Sequence, residues 1–350
     1  MLSAPRPRSA VFSTIAELAP GVLLCGAISL LAYALQWGEE RLLGHGYVEA
    51  LVFAILGGTV VRTLWTPGRA YAKGIVFSGK TLLEIAVMLL GASLSSAALA
   101  AAGAPLLAGV IGLVVLALAL GYGVSRLLGL SPTMSVLVAC GNAICGNSAI
   151  AAVASVIEAD AEDIASSIAF TAILGVIVVL TLPVAAAVLQ LNEVRYGALA
   201  GMTVYAVPQV LAATVPVGPV ATQLGTLVKL VRVLALGPVV FGAALVRRLR
   251  ANDGSAGPAP RASVWRFVPW FVVGFVALAV LRSLGGVPDA ALGPIRVVTT
   301  VLTVLSMAAL GLGVDLGQLR KVGARATAAV TLSILALAVM SYILVQHLPL

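Results

Sequence analysis

The chain has 350 residues, of which 61% are hydrophobic and only 10% are charged, and its mean hydropathy is +1.12. A soluble domain typically carries about 25% charged residues, so this composition excludes an ordinary soluble protein. The formal net charge of +8 follows from the distribution of basic residues along a membrane chain, and we expect no nucleic-acid partner.

Long apolar runs recur along the whole sequence and predict an all-α polytopic membrane protein with about 11 transmembrane helices. The seventh run is shorter than the others. The predicted spans are 20–37, 47–65, 80–98, 104–124, 133–156, 165–188, 198–212, 224–247, 266–284, 294–314 and 324–345.

The basic residues are distributed unevenly over the predicted loops. With a cytoplasmic N-terminus, 16 of the 21 basic residues fall on the cytoplasmic side and three on the other side. The positive-inside rule therefore predicts a multi-pass protein of the inner or plasma membrane with an extracytoplasmic C-terminus. The lipid bilayer is its expected partner, and a homodimer is left open.

Residues 1–46 are predicted to form a basic arm and a peripheral span. Farther along, Gly74-Ile-Val-Phe-Ser-Gly79-Lys80-Thr81 matches the phosphate-loop pattern. A phosphate loop follows a buried strand and opens a soluble helix, whereas here a polar segment precedes the match and a membrane span follows it. We interpret this stretch as a loop at the cytoplasmic face, with Lys80 near the lipid headgroups.

The stretch Cys140-Gly-Asn-Ala-Ile-Cys-Gly-Asn-Ser148 lies inside an apolar run but contains residues that interrupt helices. We expect one broken helix to cross the bilayer here, with a new half-helix starting at Asn147 near mid-membrane. The start of a half-helix presents free N–H groups and a positive dipole end, which suits an anion. Gly141, Asn142, Gly146, Asn147 and Ser148 are therefore predicted binding residues.

Side chains at Gly141 or Gly146 are expected to intrude on the bound anion. The carbonyl groups near Cys140 offer a place for a sodium ion if transport is coupled to a cation. The following loop carries the four acidic residues Glu158, Asp160, Glu162 and Asp163. It is predicted to lie at the outer face, as a solvated acidic loop or as a vestibule that attracts cations.

Two further spans carry polar residues at membrane depth. Span seven contains Gly201, Pro208 and Gln209, which predict a second interruption or a kink. Span eight contains Lys229 and Arg232 on one helical face. Charges within a membrane usually face a cavity or a partner, so we predict that Gln209, Lys229 and Arg232 join the binding site, with snorkelling of the two cations as the alternative.

A spacing of leucine and glycine residues near Gly91 recurs 220 residues later near Gly311. We infer an internal duplication, with a first five-helix repeat at 47–190 and a second at 191–350. An odd number of spans gives repeats of inverted topology, a common plan for transporters. Residues 250–262 are interpreted as a cytoplasmic linker.

Three cysteines and two histidines are spaced in a way that favours neither disulfides nor a zinc site. No cofactor is expected, and coupling to Na⁺ or H⁺ is left open. A membrane-embedded thiol enzyme using Cys140 or Cys145 is the weakest hypothesis, since no histidine base lies near them, and we expect the protein not to be an enzyme.

The stretch from Cys140 to Ala152 resembles the signature of the YeiH family, to which sulfate export is ascribed. A second family signature is similar to Lys229-Leu-x-Arg232-Val-x-x-Leu236-x-Pro238-Val239. Segments at 201–213 and 308–312 also fit, and the resemblance covers roughly 74–325. It implies a relative of the bile-acid and arsenite transporters, with inverted five-helix repeats and broken, crossed helices. The chain departs from the family at Tyr205-Ala206, where relatives have His followed by an acid, which puts proton coupling in doubt.

The leading hypothesis is a secondary-active transporter of a small inorganic or organic anion, such as sulfate or a sulfonate-derived anion, working by alternating access. An anion channel and a non-transporting membrane sensor are the alternatives.

Overall fold

The computed structural model describes residues 8–43, 49–94, 103–250, 269–314 and 324–348. All regular secondary structure in these ranges is helical. The predicted linker at 250–262 lies outside them apart from its first residue. The early helices are α1 (Arg8–Leu43), α2 (Ala50–Leu64), α3 (Arg69–Phe77), α4 (Leu83–Leu90) and α5 (Ala104–Leu127).

The central helices include two pairs of short helices, one before and one after a long helix. They are α6 (Pro132–Ala143), α7 (Asn147–Ile157), α8 (Ala161–Val188), α9 (Glu193–Thr203), α10 (Val207–Thr214), α11 (Pro219–Leu234) and α12 (Leu236–Arg250). The chain continues with α13 (Trp270–Ser283), α14 (Asp289–Leu312) and α15 (Ala324–His347).

Seven helical stretches within the described residues are long and apolar enough to cross a membrane. Many leucine, valine and isoleucine side chains on α5, α8, α13 and α15 are exposed, as expected of helices that face lipid. The protein is thus an all-α polytopic membrane protein, as its sequence predicts. The number of 11 spans stays a prediction.

The helices form two compact units. The first comprises Met1–Ala86 and Gly293–Leu316, and the second comprises Val87–Leu292 and Gly317–Leu350. In the first unit α1 packs on α2 and α3. Glycines permit the close contacts there: a Cβ atom on Gly74 would collide with the backbone of α1, and one on Gly58 with the backbone of α14.

The phosphate-loop match is helical throughout. Residues 74–77 belong to α3, and Ser78–Leu82 form a π-helical turn that continues into α4. The Oγ atom of Ser306 donates a hydrogen bond to the Ser78 carbonyl at 2.9 Å. The interpretation of this stretch as a loop was therefore wrong, and Gly74 serves helix packing, because α1 and α3 touch at that residue.

In the second unit, α6 and α7 fold into hairpin 1, with its tip at 144–146. Ser131, which caps α6, lies 3.4 Å from the Asp163 carboxylate at the start of α8. A Cβ atom on Gly141 would lie 3.0 Å from Ile150 of α7, so the two arms pack side by side. Both ends of hairpin 1 therefore lie at the N-terminal end of α8.

Helices α9 and α10 form hairpin 2, with its tip at 204–206. The Tyr196 hydroxyl in the first arm donates a hydrogen bond to the Ala213 carbonyl in the second arm at 2.6 Å. The Val220 N–H at the start of α11 donates to the Glu193 carboxylate at 3.1 Å. Both ends of hairpin 2 therefore lie at the N-terminal end of α11, beside the C-terminal end of α8.

The two hairpins correct the predictions for spans five and seven. Neither 133–156 nor 198–212 runs through the unit as a single broken helix, because each segment returns to the end from which it entered. The hairpins enter from opposite ends of α8, and each is followed by a long helix that runs alongside its first arm. The boundaries of the predicted repeats, 47–190 and 191–350, stay predictions.

An ion pair shows that the acidic loop and the end of α12 lie on the same side of the second unit. The Arg247 guanidinium lies 2.5 Å from the Glu158 carboxylate and donates to the Val156 carbonyl at 2.7 Å. This hydrogen bond from Arg247 lowers the pKa of Glu158 from its ordinary value. The sequence predicted the acidic loop at the outer face and Arg247, just before the cytoplasmic linker, on the inner side. The two instead share the end of the unit at which hairpin 1 enters.

Candidate functional site

The tips of the two hairpins meet in the interior of the second unit. A Cβ atom on Gly146 in tip 1 would lie 3.5 Å from the Cβ of Tyr205 in tip 2. Gly146 has φ +67° and ψ −125°, a conformation that favours glycine, and α7 begins directly after it. The sequence predicts both breaks, since Gly-Asn pairs interrupt the first run and Pro208 starts a new helix in the second.

Lys229 of α11 joins the two tips. Its side chain is fully buried, and its ammonium group donates to the Ile144 carbonyl at 2.5 Å and to the Val204 carbonyl at 2.8 Å. These carbonyl groups belong to tip 1 and tip 2 respectively. One cation thus neutralises the negative ends of both α6 and α9.

Arg232, one turn along α11, extends this contact and is also fully buried. Its guanidinium donates to carbonyl groups at the C-terminal ends of α6 and α9. On α6 these are Asn142 at 2.8 Å and Ala143 at 3.0 Å. On the other hairpin they are Gly201 at 3.0 Å, Met202 at a short distance and Val204 at 3.3 Å.

The N-terminal end of α7 lies open. Asn147 and Ser148 are exposed, although most residues around them are buried. The first N–H groups of a helix have no intrahelical acceptor, so these two residues present free donors. The hydroxyl of Thr171 on α8 donates to the Asn147 side-chain oxygen at 2.6 Å and orients that amide.

The other predicted site residues are buried around the tips. Asn142 is 2% exposed, and its amide nitrogen lies 3.4 Å from the Val330 carbonyl on α15, while its side-chain oxygen has no partner within the described residues. The Gln209 side-chain oxygen accepts from the Ala206 N–H at 3.2 Å and caps α10. Gly141 contacts Ile150 within hairpin 1.

The eight predicted residues are thus within one region of the second unit, but they point in two directions. Lys229 and Arg232 bind the C-terminal ends of the first arms, whereas Asn147 and Ser148 open the second arm of hairpin 1. No carboxylate among the described residues pairs with either cation. Two buried positive charges therefore lie near a helix N-terminus, and the field at the tips is positive.

Two residues near the tips were missed as binding candidates. Thr171 lies in an apolar run of α8 and shows no local signal in the sequence. Tyr205 drew notice only as a departure from a family pattern, yet it touches Gly146, and its buried hydroxyl has no partner within the described residues. The contact from Tyr205 to Gly146 depends on the tertiary meeting of the hairpins.

Cys140 and Cys145 are buried near tip 1, and both are free thiols. The described residues contain no group of three or more metal-ligating side chains.

Known proteins resemble this chain over nearly its whole length. A family model described as "Conserved hypothetical protein 698" matches residues 20–330. A UPF0324 membrane protein of Bradyrhizobium diazoefficiens is 56% identical over 341 residues, which cover 97% of this chain and 96% of the relative. One of Brucella melitensis is 52% identical, covering 96% and 93%. One of Bacillus cereus is 35% identical, covering 85% and 86%. No solved structure matches the chain.

Proposed function

This chain belongs to the UPF0324 family of membrane proteins, the YeiH-type family that its motifs resemble, and from that premise we propose that it is a secondary transporter of a small anion. The observation that carries the proposal is the unbalanced positive charge at the hairpin tips. Lys229 and Arg232 are fully buried without a carboxylate partner among the described residues. A charge at the centre of a membrane costs about 2.5–3.5 kcal/mol on insertion scales, so such residues usually serve function.

The anion binds at the start of α7 in this proposal. Asn147 and Ser148 supply free N–H groups and polar side chains, and the dipole of α7 adds about half a positive charge. The cations lie behind this end, on the carbonyl groups of the tips, and act on the anion through their charge. A small oxyanion such as sulfate or a sulfonate fits donors of this kind, because its several oxygens accept many hydrogen bonds.

The two opposed hairpins support alternating access. Each reaches the tips from a different end of α8, so a displacement of either hairpin opens the site toward a different side. Discontinuous helices that meet at a midplane site serve this purpose in secondary transporters.

Counterflow in proteoliposomes tests the proposal. Vesicles loaded with unlabelled sulfate, or with a sulfonate, are expected to accumulate the labelled anion transiently, because exchange requires alternating access. Arg232→Gln is expected to abolish the signal, while Lys73→Ala, which removes an exposed lysine paired with Glu17, serves as the matched control. Conductance without counterflow would indicate a channel, and binding without either would indicate a sensor.

A further inference from the structure

The C-terminal ends of α6 and α9 are places where a metal cation would be expected. The last carbonyl groups of a helix have no intrahelical donor and form the negative end of its dipole. At broken helices within membranes, such carbonyl groups coordinate sodium ions. Both first arms end at the tips, so two sets of carbonyl oxygens converge there.

The side chains of Lys229 and Arg232 occupy the position at these helix ends where a metal cation would be expected. The Lys229 ammonium lies 2.5 Å and 2.8 Å from one carbonyl oxygen of each tip. Arg232 takes four more carbonyl groups and shares the fifth, that of Val204, with Lys229. The oxygens at this junction thus already bind two positive charges that belong to the chain.

We propose that Lys229 is a tethered cation that occupies a backbone sodium site, so that the protein holds its two tips together, and takes up its anion, without a sodium ion. The ammonium carries the same charge as sodium and contacts oxygens from both hairpins at once, as a bridging ion would. Arg232 binds the neighbouring carbonyl groups, leaves the Ile144 oxygen to Lys229 and shares the Val204 oxygen with it. The proposal explains why both cations are buried and directed away from the exposed start of α7.

Thermal unfolding of the purified protein tests this without reference to transport. Sodium is varied at constant ionic strength against choline. The melting temperature of the wild type is expected to stay constant. In Lys229→Ala the ammonium is replaced by space. The Ile144 carbonyl loses its bond from Lys229, and the Val204 carbonyl keeps only the 3.3 Å hydrogen bond from Arg232, so sodium binding is expected there. Above its dissociation constant, each tenfold rise in sodium should then raise the melting temperature by roughly 2 °C.

Lys229→Met is the matched control, because its side chain fills the space without a charge. This variant is expected to be less stable than the wild type and to gain nothing from sodium. Lys73→Ala, at an exposed position, should behave like the wild type. A sodium-dependent melting temperature in the wild type overturns the proposal, as does an equal sodium response in the alanine and methionine variants. If the alanine variant does not fold, the wild-type series can still overturn the proposal.

A transport measurement extends the test and rests on the proposed anion transport. Counterflow by the wild type is expected to be equal in sodium and in choline. Sodium-dependent counterflow would contradict the tethered cation while supporting transport. Absence of counterflow in both salts would contradict the proposed function alone, because the melting data stand independently of it.

Discussion

Gly146 and Gly141 show that two glycines of one motif are required for different physical reasons. From the sequence we expected a side chain at either position to intrude on the site. A Cβ atom on Gly146 would meet its nearest neighbour at 3.5 Å, an ordinary contact, so the requirement there comes from the backbone conformation at φ +67°. A Cβ atom added to Gly141 would lie only 3.0 Å from the Ile150 side chain, so space is the constraint there.

Gly146→Ala is expected to impair anion binding without any steric block. An L-residue in this backbone conformation costs on the order of 1–3 kcal/mol, which the tip can relieve by moving and thereby displacing the start of α7. The measurement is direct anion binding together with the melting temperature. If this variant binds the anion with wild-type affinity, tip 1 is not the binding site.

Two further variants serve as comparisons for Gly146→Ala. Gly123→Ala changes a helical glycine with no atom near the added methyl group, so it should bind normally and unfold at the same or a slightly higher temperature. Cys145→Ser should be mild, since we assign that buried thiol to packing. Severe loss in the serine variant would revive the thiol-enzyme hypothesis.

At the scale of elements, the sequence predicts where helices break but not where the chain goes after a break. Half-helices of 12 and 11 residues rise about 18 Å and 17 Å, which fits one broken crossing helix or two arms of a hairpin. The difference depends on contacts distant in sequence, such as Ser131 with Asp163 and Tyr196 with Ala213. Local patterns of glycine, asparagine and proline do not show which distant residues form these contacts.

The hairpins predict which loops share a side of the membrane. A cysteine replacing Asp160 and one replacing Ser255 of the linker are expected to react with a membrane-impermeant maleimide from the same side. A cysteine replacing Pro216, between α10 and α11, should react only from the other side. The three native cysteines are buried, so the unsubstituted protein is the control. Labelling of positions 160 and 255 from opposite sides would restore the crossing-helix model.

At the scale of the whole molecule, composition was sufficient to identify the class, because a chain with 10% charged residues has too little polar surface for water. The number of membrane crossings is harder to predict, because hydropathy identifies apolar runs and does not distinguish a re-entrant hairpin from a span. Lys229 and Arg232, the charged residues that reach the tips, can likewise be identified from the sequence. Their carbonyl partners are not, since any backbone offers carbonyl groups and only the fold selects Ile144 and Val204.

The orientation prediction survives the loss of two crossings, because removing an even number leaves the side of the C-terminus unchanged. In the second unit, Arg126 and Arg247 lie at the end where hairpin 1 enters, and Arg325 lies there too, beside Gly129. Arg195 lies at the opposite end, where its guanidinium donates to Gln346 near the C-terminus at 3.3 Å. The positive-inside rule therefore predicts that the hairpin 1 end faces the cytoplasm and that the C-terminus lies outside.

Reporter fusions test this orientation. A reporter active only in the cytoplasm should be active when inserted in the 250–262 linker and inactive after Leu350, and a reporter active only outside should show the reverse. The physical reason is the free-energy cost of moving clustered arginines across the membrane. This cost keeps the end that carries Arg126, Arg247 and Arg325 in the cytoplasm. Cytoplasmic activity at both positions would mean that an even number of crossings separates the linker from the C-terminus. One of the three helices α13, α14 and α15 would then have to be re-entrant as well.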